Sequence, residues 1–318
     1  MKEKVRIGID MGGMSIKFGM VGETNQILEK EVIPTRLKEG PEFLIREMAQ
    51  AIQRLLQKQD RTLSDCEGIG IGSPGTVSNE TGTILYSNNF YWENVPIVLL
   101  LKKYLNTTLP MGIANDADVA ALGETVAGAG RGYKNTILFT LGTGVGSGVI
   151  LNGKIFSGSS RGGCELGHTV IVDGGLPCNC GRNGCMEVYA SATALMRMAK
   201  EAIAQFGTSS MGTGKEGETI DGKRIFEEEK KGDAAASAAV ARYEHYLAIG
   251  IANAINIFRP ELIMLGGGVA NQGTYLTEAV QKEVDTLCFG GIHGEIARIV
   301  CAKLGNDAGI VGAANLIR

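Results

Sequence analysis

The chain has 318 residues, 44% of them hydrophobic and 20% charged, with 46 glycines and a formal net charge of -3. That length suits two lobes better than one small domain, and the scattered basic residues leave no electrostatic footprint for DNA, RNA or an anionic membrane, so a small-molecule partner is expected. The opening MKEKVRIGIDMGG lacks the apolar core of a signal peptide, and runs such as Ile97 to Leu101 are too short to span a bilayer, which predicts a cytoplasmic protein.

Val5, Ile7 and Ile9 share one face of a first strand, a glycine pair turns the chain, and Ile16, Phe18 and Met20 share one face of a second. Residues 26 to 33 supply a third strand. The pattern from Pro41 to about Lys58 is helical, with the proline near the helix start, and a buried strand follows in EGIGIGSPG. Ile97 to Leu105 reads as a short helix, Met111 to Ala114 as a strand and Asp116 to Ala129 as a small-residue helix, before GAGRGYKN breaks the chain. From Thr136 the opening device returns: an apolar strand, ILFTL, a glycine turn, GTGVGSG, and a second strand, VILNGKI, which points to internal duplication. Helical stretches follow at roughly 187 to 205 and 234 to 258, then a strand at Leu262 to Leu265 ending in GGG and a helix near 274 to 287. The chain closes with a strand, Ala297 to Ala302, and a helix from about Asp307 to Ile317. Residues 207 to 233, polar and glycine-rich, form a surface excursion with a short helix.

The turn Asp10-Met11-Gly12-Gly13 sets a carboxylate at a strand end beside backbone that a ligand can approach closely. In a nucleotide enzyme Asp10 faces magnesium or its water shell, and Gly12 and Gly13 offer N–H groups to phosphate; a plain hairpin with positive φ uses the same residues. The second turn, Gly142-Thr143-Gly144-Val145-Gly146-Ser147-Gly148, has a GxGxxG-like spacing but no helix after it, which argues against a dinucleotide fold. A phosphate clamp made by both hairpin turns is more economical, with Gly266, Gly267 and Gly268 admitting adenine or ribose.

Among seven cysteines, Cys66, Cys164, Cys288 and Cys301 are isolated and read as small buried apolar residues, whereas three cluster in CNCGRNGC. His168, Cys178, Cys180 and Cys185 together offer three thiolates and an imidazole, a closed tetrahedral set for structural zinc. Asn115-Asp116 ends an apolar strand and opens a helix, where the pair serves either as a general base towards an alcohol or as a helix N-cap. Glu165 and Glu187 flank the cysteine loop, where carboxylates suit adjacent sugar hydroxyls; Glu187 also fits as favourable charge in a helix first turn, and Glu165 as a solvated acid.

Glu165-Leu166-Gly167-His168 and Cys178-Asn179-Cys180-Gly181-Arg182-Asn183-Gly184-Cys185-Met186-Glu187 carry a resemblance to the ROK family of bacterial sugar kinases and repressors, in particular its zinc-containing glucokinases. Asp10-Met11-Gly12-Gly13, Ser73-Pro74-Gly75, Asn115-Asp116-Ala117 and Gly142-Thr143-Gly144-Val145-Gly146 support it, and the match runs essentially end to end. The resemblance implies an α/β, actin-like, hexokinase-type (ribonuclease H-like) two-lobed fold with a duplicated core and a zinc-binding loop. A small lobe at 1–115, joined by the C-terminal helix 304–318, would face a large lobe at 116–303 carrying the zinc loop and nucleotide site, with substrate in the cleft. It also implies a homodimer, Mg-ATP held by Asp10, Gly12, Gly13, Lys17, Gly142, Thr143, Gly144, Gly267 and Gly268, and a hexose contacted by Asn89, Asn115, Glu165, His168 and Glu187. Asn88 is the other alignment for Asn89. Asp116 would be the catalytic base towards the 6-hydroxyl, giving glucose 6-phosphate from glucose; an N-acylhexosamine such as N-acetylmannosamine is the alternative substrate. The family's usual Thr is replaced by Met14, with Ser15 next to it, which keeps a sugar-binding pseudokinase in view. A sugar-responsive repressor is the rival from another class, and only nine residues precede Asp10 to hold its helix-turn-helix.

Overall fold

The computed structural model describes residues 3–159, 163–212 and 220–317. In chain order the elements are β1 (Val5–Met11), β2 (Ser15–Val21), β3 (Ile27–Pro34), α1 (Pro41–Gln57), β4 (Cys66–Ser73), β5 (Thr76–Ser78), β6 (Thr83–Ser87), β7 (Trp92–Val95), α2 (Ile97–Leu105), β8 (Met111–Asn115), α3 (Asp116–Ala127), β9 (Thr136–Leu141), β10 (Val145–Leu151), β11 (Lys154–Ile155), α4 (Glu187–Ala190), α5 (Ala192–Phe206), α6 (Gly222–Lys230), α7 (Ala234–Phe258), β12 (Leu262–Gly266), α8 (Thr274–Leu287), β13 (Arg298–Cys301) and α9 (Ala308–Ala314). The helix α6 is the short one expected in the surface excursion, of which residues 213–219 lie outside the described residues. Among the described residues no helix is long and apolar enough to cross a membrane.

Two compact units share the chain, one made of Met1–Lys134, Gly148–Cys164 and Lys303–Arg318, the other of Asn135–Ser147 and Glu165–Ala302. One five-stranded sheet has the order β3-β2-β1-β4-β8 and the other the order β11-β10-β9-β12-β13. In the first, β1 is antiparallel to β2 and parallel to β4, which is parallel to β8. In the second, β12 is parallel to both β9 and β13. The same order built twice is the duplicated core that the repeated glycine turn implied.

Two sequence expectations are corrected. Val145 to Gly148 belong to strand β10, not to the turn, because Val145, Ser147 and Val149 alternate inward along it and the reversal needs only Gly142, Thr143 and Gly144. The helix expected from 187 to 205 is broken at Ser191, whose extended backbone and side chain cap α5 by accepting from the Ala194 N–H at 3.1 Å. A serine that bonds its own local backbone competes with helix continuation. The stretch 76 to 95, left without assignment by its pattern, folds as the small antiparallel sheet β5-β6-β7.

In the first unit, α1 lays Leu44, Ile45, Met48, Ile52, Leu55 and Leu56 into the core at three- and four-residue spacing, as an amphipathic helix does. The short α9 is buried along its whole length. Its small residues let backbone meet backbone: a Cβ on Gly312 would fall 1.6 Å from the Val119 carbonyl oxygen of α3. Two buried charged groups tie this unit together. Arg6, 1% exposed, donates to Asn315 Oδ1 at 2.6 Å, Gly22 O at 2.8 Å and Asn25 Oδ1 at 3.0 Å. Glu124 accepts from the N–H groups of Ala129, Lys303 and Leu304 at 2.6 to 3.0 Å, so a buried carboxylate satisfied by backbone donors fixes the approach to α9.

Candidate active site

In each unit, several residues marked by the sequence stand at the carboxyl ends of parallel strands, where ligands of open α/β sheets bind. Asp10 sits in the last turn of β1, Ser73 ends β4, Asn115 ends β8, the Gly142 turn follows β9, and Gly266 ends β12.

In the first unit, the strand register sets Asp10 opposite Lys17, and the two form an ion pair at 3.3 Å. The Gly12 N–H closes the turn on Ser15 O at 3.0 Å, so it is spent inside the hairpin, and a Cβ on Gly12 would fall 2.9 Å from that same oxygen. Neither Gly12 nor Gly13 has positive φ, and a Cβ on Gly13 would meet nothing within 4 Å. The hairpin alone therefore does not require glycine at position 13. Met14 projects from the tip, 90% exposed.

Asn115 caps α3: its Oδ1 accepts from the Ala117 N–H at 2.9 Å, while its Nδ2 donates to Gly75 O at 3.1 Å, joining the Ser73-Pro74-Gly75 turn to the helix start. Asp116, half-buried in the first helical turn, accepts from the same Ala117 N–H at 3.0 Å. The cap role and a place at a strand end coexist in this pair. Asn89 is exposed at the tip between β6 and β7, held there by buried Phe90 and Trp92, whose ring centroids are 5.1 Å apart. No hydrogen bond among the described residues joins Asn89 to Asn115 or Asp116. A cavity of about 480 Å³ beside β8 is lined by Asn79, Asn115, Asp118, Lys154 and Ser157.

In the second unit, the turn Gly142-Thr143-Gly144 is clasped by the segment after the cysteine loop. The Ala192 N–H donates to Gly142 O at 2.8 Å, Thr193 Oγ1 donates to Thr143 O at 2.9 Å, and the Val145 N–H donates to Glu187 Oε2 at 3.0 Å. A Cβ on Gly144 would fall 2.3 Å from that same Glu187 oxygen, which explains the glycine by close approach. Glu187 is the first residue of α4 and, with Thr143 and Asn179, lines a cavity of about 360 Å³. Gly267 has φ 84 and lies against Leu141, while Gly268 opens a 3-10 turn with ordinary φ.

The four metal-ligand candidates are brought together: one atom each from His168, Cys178, Cys180 and Cys185 all lie within 4.8 Å of one another. Cys178 Sγ is 3.6 Å from His168 Nδ1, and Cys180 Sγ is 3.6 Å from Cys185 Sγ. A zinc tetrahedron with ~2.3 Å bonds to sulfur and ~2.0 Å bonds to nitrogen has edges of roughly 3.5 to 3.8 Å. The Arg182 backbone N–H pulls the Cys180 thiol down to about 6, whereas burial pushes the neighbouring Cys185 thiol up to about 12. Thiols this close resist ionising together without a cation, so donor set, spacing and electrostatics all fit zinc. The loop is knit by its own backbone: Cys178 N–H to Arg182 O at 2.8 Å, Gly184 N–H to Leu176 O at 2.8 Å and Met186 N–H to Thr169 O at 2.8 Å. Glu165 is exposed just before the 3-10 turn Leu166–His168.

Four supporting residues escaped the sequence reading. Arg182 donates to His168 O at 2.6 Å, Ser147 Oγ accepts from the Leu166 N–H at 3.0 Å, and Thr35 and Thr193 bond the turn carbonyls. Arg182 stands inside CNCGRNGC and Ser147 inside GTGVGSG, where both could have been found; Thr35 and Thr193 carry no local motif.

The ROK family model matches residues 6–318. The chain is 37% identical over 321 residues to a glucokinase of Halalkalibacterium halodurans, covering 100% of this chain and 96% of that protein. It is 32% identical to a ROK family glucokinase from Streptomyces griseus whose crystal structure is in complex with glucose and AMPPNP, with a TM-score of 0.76 over 98% of each chain. A xylose repressor of Caldicellulosiruptor bescii is 29% identical over 311 residues, covering 98% of this chain and 77% of the repressor.

Proposed function

Because this chain belongs to the ROK family, we propose that it transfers the γ-phosphoryl group of Mg-ATP to O6 of a hexose, with glucose as the substrate. The observation that carries the reading is Asp116, a half-buried carboxylate at the carboxyl end of β8, in a chain that keeps a glycine turn at the ends of β1 and β9. A sugar sensor needs the hydroxyl-binding groups; a base and two phosphate turns are what a kinase adds.

In this mechanism Asp116 accepts the 6-hydroxyl proton as the O6–P bond forms and the bond from phosphorus to the ADP oxygen breaks. Such transfer depends mainly on position and charge, so orienting the hydroxyl matters as much as taking its proton. Asn89, Asn115, Glu165, His168 and Glu187 bind the other sugar hydroxyls. Gly142, Thr143, Gly144, Gly12 and Gly13 surround the phosphates, with Lys17 as a cation and Asp10 towards magnesium, and Gly267 and Gly268 admit the nucleoside. Zinc, when bound by His168, Cys178, Cys180 and Cys185, supplies rigidity: the closed ligand set has no open position for chemistry. With Nδ1 of His168 facing Cys178, Nε2 is the nitrogen left for the sugar.

A coupled ADP-release assay across glucose, N-acetylmannosamine, fructose and allose tests this. Glucose should be preferred, and Asp116→Asn should lower kcat by roughly 10²- to 10⁴-fold while sugar binding persists. Faster turnover of N-acetylmannosamine reassigns the substrate; sugar binding without ADP release from any hexose overturns the kinase reading. The assembly proposed is a homodimer, checked by light scattering.

A further inference from the structure

Both phosphate turns have their backbone held by a threonine hydroxyl that comes from outside the hairpin. In the first unit Thr35, just past β3, donates from Oγ1 to Gly12 O at 2.6 Å, and its own N–H donates to Met14 O at 3.0 Å. In the second, Thr193, in the first turn of α5, donates from Oγ1 to Thr143 O at 2.9 Å. Neither hydroxyl serves the zinc cluster or the proposed base, and neither lies in a motif.

The consequence follows from the peptide unit. A trans peptide is planar, with its C=O and N–H pointing in opposite directions, and there are no cis peptide bonds among the described residues. Pinning Gly12 O onto Thr35 therefore aims the Gly13 N–H away from Thr35, and pinning Thr143 O onto Thr193 does the same for the Gly144 N–H. Gly13 is exposed and Gly144 half-buried. An aimed backbone N–H is what a phosphate oxygen recognises, and a peptide plane already fixed loses less freedom on binding. The rest of the second turn is held in the same way, by Ala192 on Gly142 O and Glu187 on the Val145 N–H, so Thr193 secures the remaining peptide. At the first turn Met14 offers no hydroxyl, which leaves backbone orientation with more of the task.

We propose that Thr35 and Thr193 are positioning residues for the triphosphate, acting through the Gly13 and Gly144 N–H groups. This rests on the kinase reading above. The test compares Thr35→Val, Thr193→Val, Thr35→Ser and Thr193→Ser for binding of a non-hydrolysable ATP analogue and of glucose by calorimetry, with KM for each substrate and melting temperature alongside. Each valine variant should weaken analogue binding and raise KM for ATP about five- to tenfold, the scale of one misaimed donor, with glucose affinity held within about twofold. Each serine variant should restore analogue binding, because it keeps the hydroxyl and loses only a methyl. Valine variants that bind the analogue as the unmutated chain does overturn the positioning role alone. So does a loss shared equally by serine and valine variants, or a parallel fall in glucose affinity, since either assigns the effect to packing. An unmutated chain that binds no nucleotide overturns the kinase reading first, and this proposal with it.

Discussion

At position 14 the departure from the family pattern becomes measurable. Met14 is 90% exposed at the tip of the first turn, so its side chain makes no packing contribution that a smaller residue would forfeit. Its backbone carbonyl accepts from the Thr35 N–H, a bond any residue would keep. Met14→Thr should therefore leave stability within about 0.5 kcal/mol, as exposed substitutions usually do, and lower KM for ATP about three- to tenfold by adding a hydroxyl beside the phosphates. A KM for ATP unchanged by the substitution would mean that no phosphate reaches this tip. The residues legible at this scale were those whose chemistry is local. His168 and the three cysteines announce a four-donor cluster by their spacing, and Asn115-Asp116 declares a strand end turning into a helix. Thr35 and Thr193 were illegible because a hydroxyl bonded to a carbonyl 23 or 50 positions away leaves no local trace.

Among elements, the cysteine loop and the helices of the same unit make a similar demand, since each gathers acidic groups that resist ionising together. The loop gathers thiols that need a cation, and its flanks hold Glu187 and the turn after β9. Removing zinc by chelation should raise the glucose KM roughly tenfold, the scale felt when a metal site's support is disturbed, and calorimetry should show glucose affinity falling in step. Metal-free protein with an unchanged glucose affinity would contradict that account. In the same unit, α6, α7 and α8 bring Glu229, Glu244 and Glu283 into mutual repulsion, and burial pushes the Glu244 carboxyl up to about 7. Glu244 Oε1 and Glu229 Oε2 are buried without a hydrogen-bond partner among the described residues. Around them, Tyr275 donates to the other Glu229 oxygen, His245 meets Glu283, and Lys230 reaches Gln272 at 3.0 Å. The folded state thus holds the Glu244 proton more tightly than the unfolded chain, whose glutamates titrate near about 4.3. Between about pH 4.3 and pH 7 the folded state binds more protons, so this group's contribution to stability is present at low pH and is lost as pH rises through about 7. Melting temperature should fall across that window, and Glu244→Gln should flatten the fall and raise melting temperature at pH 8. An identical pH profile in the variant would show that Glu244 is not the group responsible. Periodicity located these helices well, because their faces alternate over several turns. It overran at Ser191, where a single side-chain cap ends the pattern that the neighbouring apolar residues continue.

For the molecule as a whole, duplication was legible and the division into units much less so. The glycine turn after a buried strand is a local device, and finding it twice predicts two sheets of one design, as the matching strand orders show. A change of unit inside β10, between Ser147 and Gly148, leaves no linker composition to read. The return of the chain's end to its beginning is equally silent in sequence, since AGIVGAA looks like any small-residue helix. Its composition makes sense only against its neighbours: Gly312 lies where a methyl would occupy the Val119 carbonyl, and that carbonyl belongs to the backbone of α3 and cannot rotate aside. Gly312→Ala must therefore push α9 away from α3, loosening the bonds of Arg6 to Asn315 and of Glu124 to Lys303 and Leu304. Overpacking of this kind costs about 3 kcal/mol or more when the obstacle is main chain. Denaturant unfolding should show that loss, while a Gly132→Ala control, at positive φ with nothing within 4 Å, measures backbone strain without a clash. If Gly312→Ala costs no more than Gly132→Ala, then α9 has room that the close approach denies it, and the small residues of the last helix need another explanation.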